Sequence, residues 1–184
     1  MSIKRVNKMS SLYVVMDIHD RETIAMLSYC QTLAKQKNPG NYVDDQTFHI
    51  TISFLNDDED DNNLVQQAML KFKELYANEF KSFYVFAEGL YRFDSGVCWM
   101  GVHQSFKLYK IKHILEKLID DTGYKRKEDK FDGYTPHITF AYDVPEYEYM
   151  KLSRVPILVD NITLWNSPQM NDNYVTNCLC KIDL

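Results

Sequence analysis

Five histidines occur in the 184 residues, and two of them head the same triplet: His49-Ile50-Thr51 and His137-Ile138-Thr139. With 12 Ile and 9 Thr in the chain, such a coincidence is expected in roughly one chain in 10,000 of this composition. An imidazole titrates near neutrality, so a pair can hold one neutral and one protonated ring at the same pH. The neutral ring can take a proton from an attacking oxygen while the charged ring gives one to a leaving oxygen. A threonine hydroxyl beside each ring can donate to oxygens that gain charge between them. Two imidazoles and two hydroxyls set on opposite sides of one phosphorus atom therefore suit in-line cleavage of a phosphodiester. His19, His103 and His113 read as structural. His103-Gln104-Ser105 also fits a His-x-Ser pattern, but it stands at the start of a predicted helix without flanking strand residues.

Such a site needs two strands to carry it. Phe48–Phe54 and Pro136–Tyr142 both alternate apolar with small or polar residues, which is the strand period of two. His49 and Thr51 then share one face, as do His137 and Thr139. Phe48, Ile50, Ile52 and Phe54 are expected on the opposite, core-facing side, together with Ile138, Phe140 and Tyr142. A further strand is expected over Ser11–Ile18, followed by a helix capped by Asp20 and running to about Lys37, where Asn38-Pro39-Gly40 stops it. A second helix is expected over about Asn63–Phe80, strands over Phe83–Leu90 and Val97–Val102, and a third helix over about Gln104–Asp121. Two more strands, Ile157–Trp165 and Tyr174–Ile182, complete the set. Strand, helix and His-Ile-Thr strand thus occur twice, over 11–55 and 97–142. A pseudo-twofold relation between two such halves would bring the two histidine faces to one groove.

The paired triplets on hydrophobic strands resemble the signature of the two-histidine (2H) phosphoesterase superfamily, which includes LigT-like cyclic phosphodiesterases, 2′,5′-phosphodiesterases and phage enzymes that degrade cyclic oligonucleotides. The resemblance implies an α+β fold of two pseudo-symmetric lobes, each an antiparallel sheet with outer helices, around a central cleft. It implies a single domain over 1–184, with His49, Thr51, His137 and Thr139 as catalytic residues. The expected activity is metal-independent cleavage of a 2′,3′-cyclic phosphate, a 2′-5′ linkage or a cyclic oligonucleotide, without a cofactor. Two alternatives stay open: a non-catalytic binder that sequesters a small nucleotide, and a ligase of 2′-5′ RNA ends.

Composition narrows the partner. Net charge is −5, which disfavours a grip on long duplex nucleic acid and favours a small nucleotide or an RNA end. Tyr13, Tyr42, Phe131, Tyr134 and Trp165 are candidates to stack a base. Lys125 and Arg126 open a polar segment, Lys125–Lys130, that could close over a polyanion. The carboxylate run Asp57–Asp61 reads as a solvated turn, since its spacing is not that of a calcium loop. Four cysteines without metal-ligand spacing suit reduced thiols in the cytoplasm. No apolar run approaches membrane-spanning length, and a monomer is expected.

Overall fold

The computed structural model describes residues 10–55, 62–76, 78–103, 105–126, 133–170, 173–174 and 176–184. Asp57–Asp61, Lys127–Lys130 and Phe131 lie outside them. In chain order the elements are β1 (Ser10–Asp17), α1 (Arg21–Lys37), β2 (Asn41–Tyr42), a 3₁₀ turn (Asp45–Thr47), β3 (His49–Phe54) and α2 (Asn62–Tyr76). Then come β4 (Phe83–Arg92), β5 (Cys98–Val102), α3 (Phe106–Asp121), β6 (His137–Tyr142), β7 (Val155–Val159), β8 (Asn161–Met170), β9 (Asn173–Tyr174) and β10 (Asn177–Asp183). Asp20 caps α1 as its sequence predicts, its carboxylate accepting from the Thr23 N–H at 2.8 Å.

Two antiparallel sheets result. One has the order β10-β8-β1-β3, with β9 beside β8; the other runs β2-β6-β5-β4-β7. Read from the histidine strand outward, β3-β1-β8-β10 matches β6-β5-β4-β7, so the twofold relation suggested by the repeated sequence pattern extends to four strands per half. The helices cross over. α1 follows a strand of the first sheet but lies on β7 of the second, where Gln31 donates to the carbonyl of Phe140 at 3.3 Å. α3 follows β5 of the second sheet but packs on β3, where Ser53 donates to Glu116 at 2.9 Å.

Three expectations need correction. Ile157–Trp165 is not one strand: β7 belongs to the second sheet and β8 to the first, with the chain changing sheets at Asp160. The buried Asn161 makes the join. Its side chain accepts from the Asp17 N–H at 3.1 Å and donates to the Asp17 carbonyl at 2.9 Å, tying β8 to β1 at the crossing. Phe54 and Tyr142 do not face the core but are 48% and 46% exposed. The ladder slips between Thr51 and Ser53 against β1, and between Thr139 and Ala141 against β5. One extra residue sits in each histidine strand, Ile52 or Phe140, and such a bulge reverses the alternation beyond it. The same bulge, three residues after each histidine, is the most detailed trace of the internal symmetry. The second helix stops at Tyr76, four residues short of Phe80. Phe80 stays buried nonetheless, stacked on Phe72 at 5.7 Å.

The two histidine strands meet through their greasy backs, with the Phe48 and Phe140 ring centroids 5.6 Å apart. Both rings are fully buried. Phe48→Ala should therefore destabilise the fold by about 3–5 kcal/mol, the usual cost of deleting a buried phenyl ring. Urea unfolding of the variant against the parent checks this.

Candidate active site

His49 and His137 each open their strand, and each is held from behind in the same way. The Nδ1 of His49 lies 2.7 Å from the Thr47 carbonyl, and that of His137 lies 2.8 Å from the Thr135 carbonyl. A carbonyl can only accept, so Nδ1 carries the hydrogen in both rings and Nε2, without a protein partner among the described residues, is the nitrogen left to accept a proton. The short lead-ins set this geometry. Before His49 it is the 3₁₀ turn closed by Asp44, whose carboxylate accepts from the Gln46 N–H. Before His137 it is Thr135-Pro136, where proline restrains Thr135 to an extended backbone.

Aromatic rings enclose both imidazoles. His49 meets the edge of Trp165 at 4.8 Å and the ring of Tyr13 at 5.7 Å. His137 meets Phe93 at 5.2 Å and Trp99 at 5.4 Å. Burial among these rings disfavours the imidazolium and pushes His49 down to about 4, against a smaller upward pull from the Thr47 carbonyl; a charge on His137 would lower it further. His137 is lowered for the same chief reason, desolvation, again opposed by a carbonyl, that of Thr135. Thr51 and Thr139 are half-buried on the same faces. Their hydroxyls have no protein partner among the described residues. Asp17 is the cross-strand partner of His49, and burial raises its carboxyl above the ordinary range.

The other candidate residues divide. Tyr13 lies beside His49, its hydroxyl 2.5 Å from Ser167 Oγ and its ring stacked on Phe54 at 6.1 Å. Trp165, only 6% exposed, backs the His49 ring as a wall. Tyr134 donates its hydroxyl to the Thr51 carbonyl at 2.9 Å. Tyr42 is not brought to the site. It pairs with the buried Ala141 and so shares the core side of the second sheet, where its hydroxyl donates to the Asn38 carbonyl at 2.7 Å and burial pushes its phenol up to about 12. Arg126 turns back to α3, bridging both oxygens of Asp120 at 2.7 and 2.8 Å and meeting Glu116 at 3.1 Å. Lys125 stands exposed just before it. Phe93 and Trp99, which enclose His137, were not foreseen; only Trp99 carries a signal, its alternation with the apolar Cys98 and Met100. Among the described residues, no three His, Cys, Asp or Glu side chains converge as a metal-ligand set.

A family model described as the 2′-5′ RNA ligase superfamily matches residues 73–169, just over half of the chain. The match contains the second histidine triplet but not the first. No curated protein matches this chain in sequence. Solved structures do match in fold. E. coli LigT complexed with 3′-AMP shares 17% identity over 97% of this chain and 99% of its own, with a TM-score of 0.69. TT0787 of Thermus thermophilus shares 18% over 95% and 97%, with a TM-score of 0.74. The MHV ns2 PDE domain is more distant, at 11% identity over 81% and 98% and a TM-score of 0.56.

The depressed imidazoles have a consequence for stability. Between pH 6.5 and about 4 the unfolded chain binds a proton at His49 that the folded chain refuses, so stability falls as pH is lowered through that window. His49→Gln, which cannot titrate, should flatten that part of the profile. Melting temperatures of parent and variant, compared from neutral pH downward, check the difference.

Proposed function

This chain belongs to the 2′-5′ RNA ligase superfamily, and on that premise we propose that it is a two-histidine phosphodiesterase acting on a small nucleotide or an RNA end. The observation that carries the reading is the matched suspension of His49 and His137, each fixed through Nδ1 with Nε2 left without a protein partner among the described residues. That is the state of a histidine pair prepared to exchange protons with a substrate. A protein that only sequestered nucleotides would need neither. E. coli LigT, which shares this fold, is solved with 3′-AMP, NADP+ and ATP, and a small nucleotide is the matching ligand class here.

His49, the ring pushed down to about 4, is the base, and His137 is the acid. With a 2′,3′-cyclic phosphate, His49 Nε2 takes a proton from water as its oxygen bonds to phosphorus, and His137 Nε2–H protonates the ribose oxygen that leaves. A monoester results. With a cyclic 3′-5′ oligonucleotide, the adjacent 2′-OH replaces water and the 5′-oxygen leaves. Thr51 and Thr139 donate to the non-bridging oxygens, where charge gathers. His137 takes up its proton from solvent as the substrate binds, because a phosphodiester anion favours the imidazolium that burial had disfavoured. Ligation of 2′-5′ ends is the reverse of the same steps, and without an energy source water drives cleavage.

With purified protein in EDTA, the substrates to compare are adenosine 2′,3′-cyclic phosphate, 2′-5′ oligoadenylate and a cyclic dinucleotide. His49→Ala and His137→Ala should each lower turnover by about a hundredfold or more, and Thr51→Ala or Thr139→Ala by less. Because both free imidazoles titrate below 6.5, the bell of kcat/KM against pH should peak on the acid side of that value. The basic limb of kcat should lie at higher pH, since the bound phosphate raises the acid. A parent protein that turns over none of the three, but whose nucleotide binding weakens in both histidine variants, would support a sequestering protein instead.

A further inference from the structure

Beside His137 the second sheet carries a concavity of about 220 Å³ whose wall includes Glu88, His103, Tyr91, Trp99, Tyr134 and the Thr135-Pro136 lead-in. His137, Gly101 and Glu88 form one row across β6, β5 and β4. Two strand spacings, roughly 10 Å, therefore separate the histidine from the carboxylate. A Cβ at the middle position would come within 2.9 Å of the Tyr91 ring and push it aside, so Gly101 leaves that ring its place. Tyr91 thus leans into the row, stacked on Trp99 with centroids 4.9 Å apart. At the far end His103 Nε2 holds Glu88 Oε1 at 2.7 Å. The other carboxylate oxygen has no protein partner among the described residues. Both side chains are nearly half exposed, at 43% and 45%.

These features select the chemistry of an occupant. Among the described residues no lysine or arginine lines the concavity, and a carboxylate repels phosphate, so this is not a second anion site. An aromatic wall suits a flat ring, and a carboxylate accepts hydrogen bonds without giving any. Guanine presents two adjacent donors, N1–H and the N2 amino group, that a carboxylate can accept side by side. Adenine and cytosine place an acceptor next to their amino group, and uracil flanks its single N–H with two carbonyls. We infer that this concavity is the base subsite for the nucleoside attached to the reacting phosphate on the His137 side, and that Glu88 makes it prefer guanine. His103 is then a positioning residue: it fixes the carboxylate and touches no reacting atom. The placement beside a reacting phosphate rests on the phosphodiesterase reading; the base preference does not.

The test is calorimetric binding of guanosine, adenosine, cytidine and uridine 3′-monophosphates to the full chain. Guanosine should bind about tenfold or more tightly than uridine, as one bidentate base contact allows. Glu88→Gln, nearly isosteric, should collapse that ratio towards one. His103→Ala should reduce it in part, whereas Tyr91→Leu should weaken all four ligands together. Equal affinities in the parent protein, or a Glu88→Gln variant that weakens all four in the same proportion, would overturn the inference. Setting these titrations beside phosphodiester turnover by the parent protein separates the two readings. A guanosine preference without phosphodiester turnover sinks the catalytic reading alone, and turnover without base preference sinks this one alone.

Discussion

One hydrogen bond ties the lead-in of the second histidine strand directly to the first histidine strand. Tyr134 stands three residues before His137 and gives its hydroxyl to the carbonyl of Thr51, two residues after His49. The bond is buried enough to hold the phenol well above its ordinary range, and a carbonyl left unsatisfied there would cost on the order of 1–3 kcal/mol. Tyr134 is itself held from three sides. Tyr109 donates to its carbonyl at 2.7 Å, the Tyr109 ring meets its own edge-on at 5.2 Å, and Lys112 sits over its face. Lys112 also pairs with Glu116, which accepts from Ser53 on the strand of the first histidine. α3 thus fixes the approach to one imidazole and the strand of the other through one connected set of contacts.

Around that clamp the site solves a conflict between burial and charge. The aromatic rings that fix both imidazoles also strip away water, which favours neutral rings when no ligand is bound. Acid–base cleavage nevertheless requires one imidazolium. On the function proposed above, the negative charge of a bound phosphodiester would resolve the conflict, by favouring the imidazolium only once a ligand is in place. Two carbonyls, at Thr47 and Thr135, engage Nδ1 in either protonation state and leave Nε2 as the nitrogen that could titrate.

Much of this was legible in the sequence, and the limits follow a physical line. The two His-Ile-Thr strands, the Asp20 cap and the repeated strand–helix–strand order depend on local periodicity and local hydrogen bonds. What depends on a partner strand was not legible. The reversal of Phe54 and Tyr142 comes from slips against β1 and β5, and no pattern within either strand announces a slip. Across Asp160-Asn161 the apolar positions shift from Val155, Ile157 and Val159 to Ile162 and Leu164, but that shift does not say that the two parts enter different sheets. Tyr42 reads like any exposed loop tyrosine until its pairing with Ala141 turns it inward. Phe93 and Trp99 reach His137 only once β4, β5 and β6 lie side by side.

The placement of β1 also governs when the protein can fold. It is an inner strand of its sheet, paired on one side with β3 and on the other with β8. During synthesis β3 emerges soon after it, but β8 lies some 140 residues further along the chain, roughly ten seconds or more of translation at ordinary rates. Until then one edge of Leu12–Asp17 presents unpaired backbone groups beside an apolar face, the condition under which strands associate wrongly. α3 reaches β3 earlier and can shield part of the sheet, but β8 alone can close that edge. The first histidine strand therefore waits for Asn161–Met170 to be made before its sheet is complete, and a growing chain stopped short of that point would carry both triplets without a finished cleft.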